Sequence, residues 1–261
     1  MELAGYIASL FIGILLGLIG GGGSILTVPV LVYLFAISPT IAISYSLFIV
    51  GFTSLAGAYN YYKKYLINFK IVLLFGSSSI TTVFIVRKFI IPLLPNVFFT
   101  LGSFEVTHSL FVMVVFAILM VLASISMIKS KTIIAEKHTN EKPRILIMYG
   151  VLIGLVTGFL GAGGGFLLIP ALVILMKLKM KEAIGTSLLI IALNSLIGFL
   201  GDIGRHFIDW KFIIVISTIA IAGIFIGSYF NQKVNSNKLK KGFGWFVLIM
   251  GIYIIVKELG L

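Results

Sequence analysis

The sequence predicts an all-α, polytopic helical membrane protein of two inverted repeats. Each repeat is expected to hold a glycine-linked re-entrant or broken helix pair followed by about three spanning helices. Three observations lead there. Of 261 residues, 60% are hydrophobic and only 11% charged, with a mean hydropathy of +1.19; a globular domain carries roughly 25% charged residues and needs them to face water. The basic residues gather in short clusters between long apolar runs. The chain also matches itself at an offset of 141 residues.

A helix rises about 1.5 Å per residue, so crossing about 30 Å of hydrocarbon takes about 20 residues. The apolar runs Thr40–Tyr62, Phe69–Ile91, Phe104–Ile128, Glu182–Leu200 and Trp210–Phe230 meet that length. Leu3–Ile19 and Ile145–Leu160 are further apolar runs, and Phe243–Val256 is short but flanked by Gly242 and Lys257, so that a thin or tilted span would serve. All are continuously apolar, whereas a membrane barrel strand alternates. Met1-Glu2 lacks the basic start of a signal peptide, so Leu3 is expected to open a retained segment.

Ser24–Ile37 and Phe166–Leu178 differ: each is too short to cross alone, contains one proline (Pro29, Pro170) and follows a glycine cluster. The clusters are Gly20-Gly21-Gly22-Gly23 and Gly161-Ala162-Gly163-Gly164-Gly165. Two half-helices meeting inside the membrane, or a tight turn between crossing helices, would both use such a join.

The offset of 141 aligns Gly13 to Gly57 with Gly154 to Gly198 without a gap, and 18 of the 45 positions are identical. Gly20/Gly161, Gly23/Gly164, Pro29/Pro170, Ser46/Ser187 and Ser54/Ser195 are among them. Shared leucine follows from composition, but glycine, proline and serine in register mark a duplicated unit, as in secondary transporters. Residues 1–128 form the first transmembrane repeat, 129–144 a basic cytoplasmic linker and 145–261 the second repeat.

Loop charge sets the orientation. With the loop of Lys63, Lys64 and Lys70 inside, 15 basic residues fall in the cytoplasm and 5 outside (Arg87, Lys88, Arg205, Lys211 and Lys257). The unit then has an odd number of full crossings, the copies are inverted, and both termini are extracytoplasmic in a multi-pass plasma-membrane protein. Arg87-Lys88 is the misfit, explained by snorkelling or by an outer vestibule that attracts anions. The net charge of +12 does not indicate nucleic acid, because no basic stripe with interleaved aromatics is present.

The chemistry rests on the clusters. A helix that starts after a glycine turn points free N–H groups and a partial positive charge into that turn, which suits an anion. Glycine lets the ligand approach the backbone closely. The rows Ser9/Gly13/Gly17 and Gly150/Gly154/Gly158 are read instead as helix-packing stripes. No cysteine, HExxH, phosphate loop or triad spacing is present, so neither enzyme chemistry nor any metal or cofactor is expected.

The segments GLIGGGGSILTVPVL and GFLGAGGGFLLIPAL, with KEAIGTSLLIIALNSLIGFLG, resemble the TauE/SafE family, the sulfite exporter or toluene-sulfonate uptake permease family, over essentially the whole chain. The resemblance implies a secondary carrier for sulfite, sulfonates or related sulfur-containing anions, often an exporter. Here Ser44-Tyr45-Ser46 stands where the second repeat has Gly185-Thr186-Ser187, and Thr53 where it has Asn194, so an asymmetric site is expected. The expected substrate-binding residues are Gly20, Gly21, Gly22, Gly23, Ser24, Ser46, Gly163, Gly164, Gly165, Thr186, Ser187 and Asn194. Together they are expected to hold one anion near the bilayer midplane. Glu105 and His108, at i and i+3, are the candidate pair for proton coupling. The partners expected are the bilayer and a small anion. An anion channel is the first rival reading and a membrane-embedded enzyme the second.

Overall fold

The computed structural model describes residues 2–20, 24–95, 97–101, 104–129, 143–161, 164–174, 176, 178–230 and 236–259. The first half contains α1 (Glu2–Ile19), α2 (Ser24–Tyr33), α3 (Pro39–Tyr62), α4 (Phe69–Leu93) and α5 (His108–Lys129). The second contains α6 (Pro143–Leu160), α7 (Gly165–Ile174), α8 (Met180–Asp202), α9 (Trp210–Phe230) and α10 (Ser236–Leu259). Six of them, α3, α4, α5, α6, α8 and α9, are long and apolar enough to cross a membrane. The large apolar side chains left exposed, such as Phe11, Leu73, Leu122, Ile214 and Ile249, suit a hydrocarbon solvent.

The duplication is visible in the element bounds. Helices α1 and α6 start and end 141 residues apart, as do α2 and α7. The ends of the short helices match too: Ile37 N–H donates to Leu31 C=O at 3.1 Å, and Leu178 N–H donates to Leu172 C=O at 3.2 Å.

Packing between the halves follows the same exchange. Helix α1 lies on α9 and α6 on α4, each helix of one half against the fourth helix of the other. A Cβ on Gly13 would strike the Ala220 carbonyl, and one on Gly154 would come 2.7 Å from the carbonyl of Ser79, the matching residue. Gly223 and Gly227 likewise face the Leu10 and Ile14 carbonyls. Without side chains at these points the backbones touch directly, as dispersion-driven packing in lipid requires.

Helices α3 and α8 form the centre: 72% of the apolar window of each is buried, against 33% for α4 and 39% for α9. They run antiparallel. Gly57, late in α3, faces Leu188, early in α8; Gly198, late in α8, faces Leu47, early in α3. These two contacts are the same contact with the halves exchanged.

One segment departs from the all-helical expectation. Phe104–Thr107 is not the start of a spanning helix but a strand, β2, paired antiparallel with β1 (Val97–Leu101). Helix α5 begins at His108, where the Thr107 hydroxyl accepts the Leu110 N–H at 3.2 Å and caps the first turn. Between Leu93 and His108 the first half carries a hairpin that the second half lacks room for, since only five residues separate α9 from α10.

Candidate functional site

Helix α1 ends at Ile19, and Gly20 after it has a φ of +83°, outside the helical range; its N–H donates to the Leu16 carbonyl at 2.7 Å. The hairpin closes at its far end, where the rings of Tyr6 and Phe35 meet edge-on at 5.6 Å. Gly20 itself packs against the other half. A Cβ there would strike Ile184, and the Ser187 hydroxyl lies 3.2 Å from the Gly20 carbonyl and 2.9 Å from the Ile184 carbonyl. Ser24, the first residue of α2, is fully buried, and the Thr27 hydroxyl one turn on is buried without a partner among the described residues. Gly21, Gly22 and Gly23 lie outside the described residues.

The second turn repeats the first with the halves exchanged. Gly161 has φ +65° and donates its N–H to the Thr157 carbonyl at 2.9 Å. A Cβ on Gly161 would strike Ile43, the counterpart of Ile184. Gly164 has φ +66° and stands against the Thr157 hydroxyl, which is buried and has no partner among the described residues. Gly165 opens α7 and is buried; Gly163 lies outside the described residues.

The two turns do not come together, contrary to the expectation of one anion held by both near the midplane. Gly20 packs on α8 at Ile184, whereas the Gly161 turn reaches α8 at the level of Gly201 through Arg87. Along α8 these levels are about 25 Å apart at about 1.5 Å of rise per residue. The turns therefore sit towards opposite ends of the α3/α8 pair. The reason is the exchange packing: each hairpin is pinned to the start of the partner half's third helix, and those helices are antiparallel.

The remaining expected residues divide. Ser46 is fully buried and its hydroxyl has no partner among the described residues. Thr186 is buried; its hydroxyl accepts the Asn68 N–H at 2.9 Å and fastens the entry to α4, beside an Asn68 side-chain bond to Glu182 at 3.1 Å. Asn194 donates to the Ser79 hydroxyl at 2.7 Å, joining α8 to α4, while its Oδ1 is buried and unpartnered among the described residues. Its counterpart Thr53 bonds its own helix, at the Ile49 carbonyl. Ser54 and Ser195, equivalent in the repeat, are both fully buried, and their hydroxyls too lack partners among the described residues.

Glu105 and His108 do not share a helical face, because Glu105 is on β2 and His108 opens α5. The two are therefore not placed as helix neighbours that could share a proton.

Sequence reasoning missed the densest group of buried charges among the described residues. Arg87 Nη1 donates to Asp202 at 3.0 Å, and the two side chains are only 4% and 2% exposed. Ser44 donates to the same carboxylate at 2.6 Å and Arg205 Nη1 at 3.1 Å. Arg87 Nε and Nη2 have no partner among the described residues. Arg87 lies in a π-helical turn, Val86–Ile90, an irregularity often found at functional sites. The available signal was an arginine inside the apolar run Phe69–Ile91 and an aspartate just after the run Glu182–Leu200, 115 residues apart.

Residues 6–254 match the family model described as sulfite exporter TauE/SafE. The chain belongs to the TauE/SafE family. This TauE/SafE chain is 27% identical to a probable membrane transporter protein of Xylella fastidiosa (strain 9a5c), with 94% of this chain and 91% of the relative covered. It is 26% identical to the probable membrane transporter protein YdhB of Bacillus subtilis, over 94% and 96%. For YunE of the same bacterium the identity is 27%, over 96% and 93%. No solved structure gives a significant match. The protein is a multi-pass membrane transporter of this family.

Proposed function

We propose that this chain is a secondary carrier that exports a small sulfur-containing oxyanion, such as sulfite or an organosulfonate, by alternating access. Its halves are taken to cross the membrane in opposite senses, with both termini outside, and to rock against each other along α3 and α8. The two glycine turns then engage the anion in succession rather than together, each serving the membrane face nearer to it. Their N–H groups and helix dipoles favour negative charge at the start of α2 and of α7.

One observation supports this reading above the others. The hydroxyls of Ser46, Ser54 and Ser195 and the Oδ1 of Asn194 are buried without partners among the described residues, spread along α3 and α8 between the levels of the two turns. Orphaned polar atoms in a buried helix pair are costly and call for a ligand or water that visits them. The direct test is purified protein in liposomes, assayed for uptake of sulfite, thiosulfate, sulfonates and sulfate with and without a pH gradient. Saturable flux of at least one sulfur oxyanion supports the reading. Ohmic single-channel current would replace the carrier with a pore, and no flux of any of these anions would refute it.

A further inference from the structure

The charges gathered around the buried Arg87 do not balance once Arg205, 23% exposed, is counted with them. Among the described residues, Asp202 is the single carboxylate beside two guanidinium groups, Arg87 and Arg205, and it accepts from both of them and from Ser44. The cluster therefore carries one excess positive charge. Arg87 spends only Nη1 on Asp202, and its Nε and Nη2 are buried without partners among the described residues. Those two groups form one edge of the guanidinium, with two parallel N–H bonds that match two oxygens of a planar or pyramidal oxyanion.

What this edge faces is the second glycine turn. A Cβ on Gly161 would lie 2.6 Å from Arg87 Nη2, so a glycine is what lets the guanidinium reach the backbone there. The unpartnered Thr157 hydroxyl stands one turn back, against Gly164, at the start of the ten-residue helix α7. The fold itself does not require the charges. At the exchanged positions of the other end, Ser44 becomes Gly185, Asp202 becomes Tyr61 and Arg87 becomes Ser228, and a Cβ on Gly185 would lie 2.8 Å from the Tyr61 Cβ. The three exchanged positions at that end carry no charge.

We infer that the Nε–Nη2 edge of Arg87, beside the Gly161 turn and the unpartnered Thr157 hydroxyl, is a subsite for a small oxyanion that presents two oxygens side by side, a sulfite, sulfonate or carboxylate group. It lies at the end of the molecule where α4 and α8 finish. The bound anion neutralises the excess charge of Arg87, Asp202 and Arg205. The inference rests on the carrier reading above and makes this end the one that selects by charge and shape, since chloride offers no second oxygen to the fork.

The test uses the full chain in liposomes, with labelled sulfite and ethanesulfonate as probes and chloride as the control anion. Arg87→Lys keeps the charge and removes the fork, and is expected to raise KM for both oxyanions about tenfold or more with a smaller change in maximal rate. Asp202→Asn adds one net positive charge while its amide oxygen still accepts from Nη1, and is expected to lower KM. An unchanged KM in Arg87→Lys, with wild-type flux intact, overturns the subsite and leaves the carrier standing; absence of oxyanion flux in the wild type overturns both. Because Arg87 is buried, a measurement in detergent accompanies the flux. Sulfite, but not chloride, is expected to raise the thermal midpoint of the wild type, and Arg87→Lys to abolish that rise. An equal rise in the variant, or a rise with chloride as large as with sulfite, overturns the subsite.

Discussion

The Ser187 hydroxyl reaches the Gly20 carbonyl at 3.2 Å across the two halves, while Ser46, its counterpart in the repeat, makes no bond to any described residue. The exchange symmetry is thus kept by the backbone and broken by polar side chains. The same break recurs at Asn194 against Thr53 and at Asp202 against Tyr61. Symmetric packing gives each half two positions against the other, and unequal polar groups distinguish them.

Substituting the two serines separates structure from transport. Ser187→Ala removes a hydroxyl proton shared between the Gly20 carbonyl of the other half and the Ile184 carbonyl of its own helix, and is expected to destabilise by about 1 kcal/mol. Ser46→Ala removes an unpaired buried hydroxyl, so its stability is expected to stay equal or rise slightly. Thermal unfolding in detergent checks both, and equal destabilisation would show that Ser46 has an unseen structural partner.

Gly20→Ala and Gly161→Ala each force a side chain into a left-handed turn and against an isoleucine of the other half. The conformational cost alone is about 1–2 kcal/mol per site, and overpacking adds about 1–3 kcal/mol. Both variants are expected to unfold earlier than Gly242→Ala, whose Cβ meets nothing within 4 Å among the described residues. Melting curves for the three proteins decide it.

Breaking the buried ion pair on one side is expected to cost more than removing it. Asp202→Ala strands a buried guanidinium, at about 3–5 kcal/mol. The double variant Arg87→Met with Asp202→Leu is expected to recover most of that loss, since apolar replacement of a buried pair is often neutral. If the single and double variants melt together, the pair is not the source of the cost.

Gly164→Val places a branched side chain at φ +66° against Thr157, and Gly22→Val puts one into the first glycine cluster. Each is expected to abolish oxyanion flux while the protein still inserts, as followed by membrane fractionation alongside transport. Normal flux in both variants contradicts a role for the glycine turns.

Much of this fold is legible from the chain because lipid leaves few choices. Continuous apolar runs of about 20 residues become helices, and the in-register glycines and prolines of Gly13–Pro29 and Gly154–Pro170 announce the duplication. Periodicity misread Phe104–Thr107, where a strand's apolar residues join a helix's without a break in hydropathy, although the sequence Phe-Glu-Val-Thr alternates. Partner choice was not legible either. The stripe Gly13/Gly17 says that a close neighbour exists but not that it is α9 of the other half, and that choice sets the two glycine turns at levels of α8 about 25 Å apart along its axis. The Arg87–Asp202 pair was hidden for the same reason: Asp202 closes its span, where solvation explains it, and Arg87 lies in the last turns of α4, where snorkelling does.

If α3 and α8 open to opposite membrane faces in turn with an anion as the passenger, the two equivalent serines must be reachable from different sides. The chain has no cysteine, so Ser46→Cys and Ser187→Cys each provide one thiol without background. In sealed vesicles of known orientation, a membrane-impermeant maleimide is expected to label Ser46→Cys only from the extracytoplasmic side and Ser187→Cys only from the cytoplasmic side. Sulfite is expected to slow both reactions. Labelling of both positions from one side, at rates indifferent to sulfite, would contradict the account.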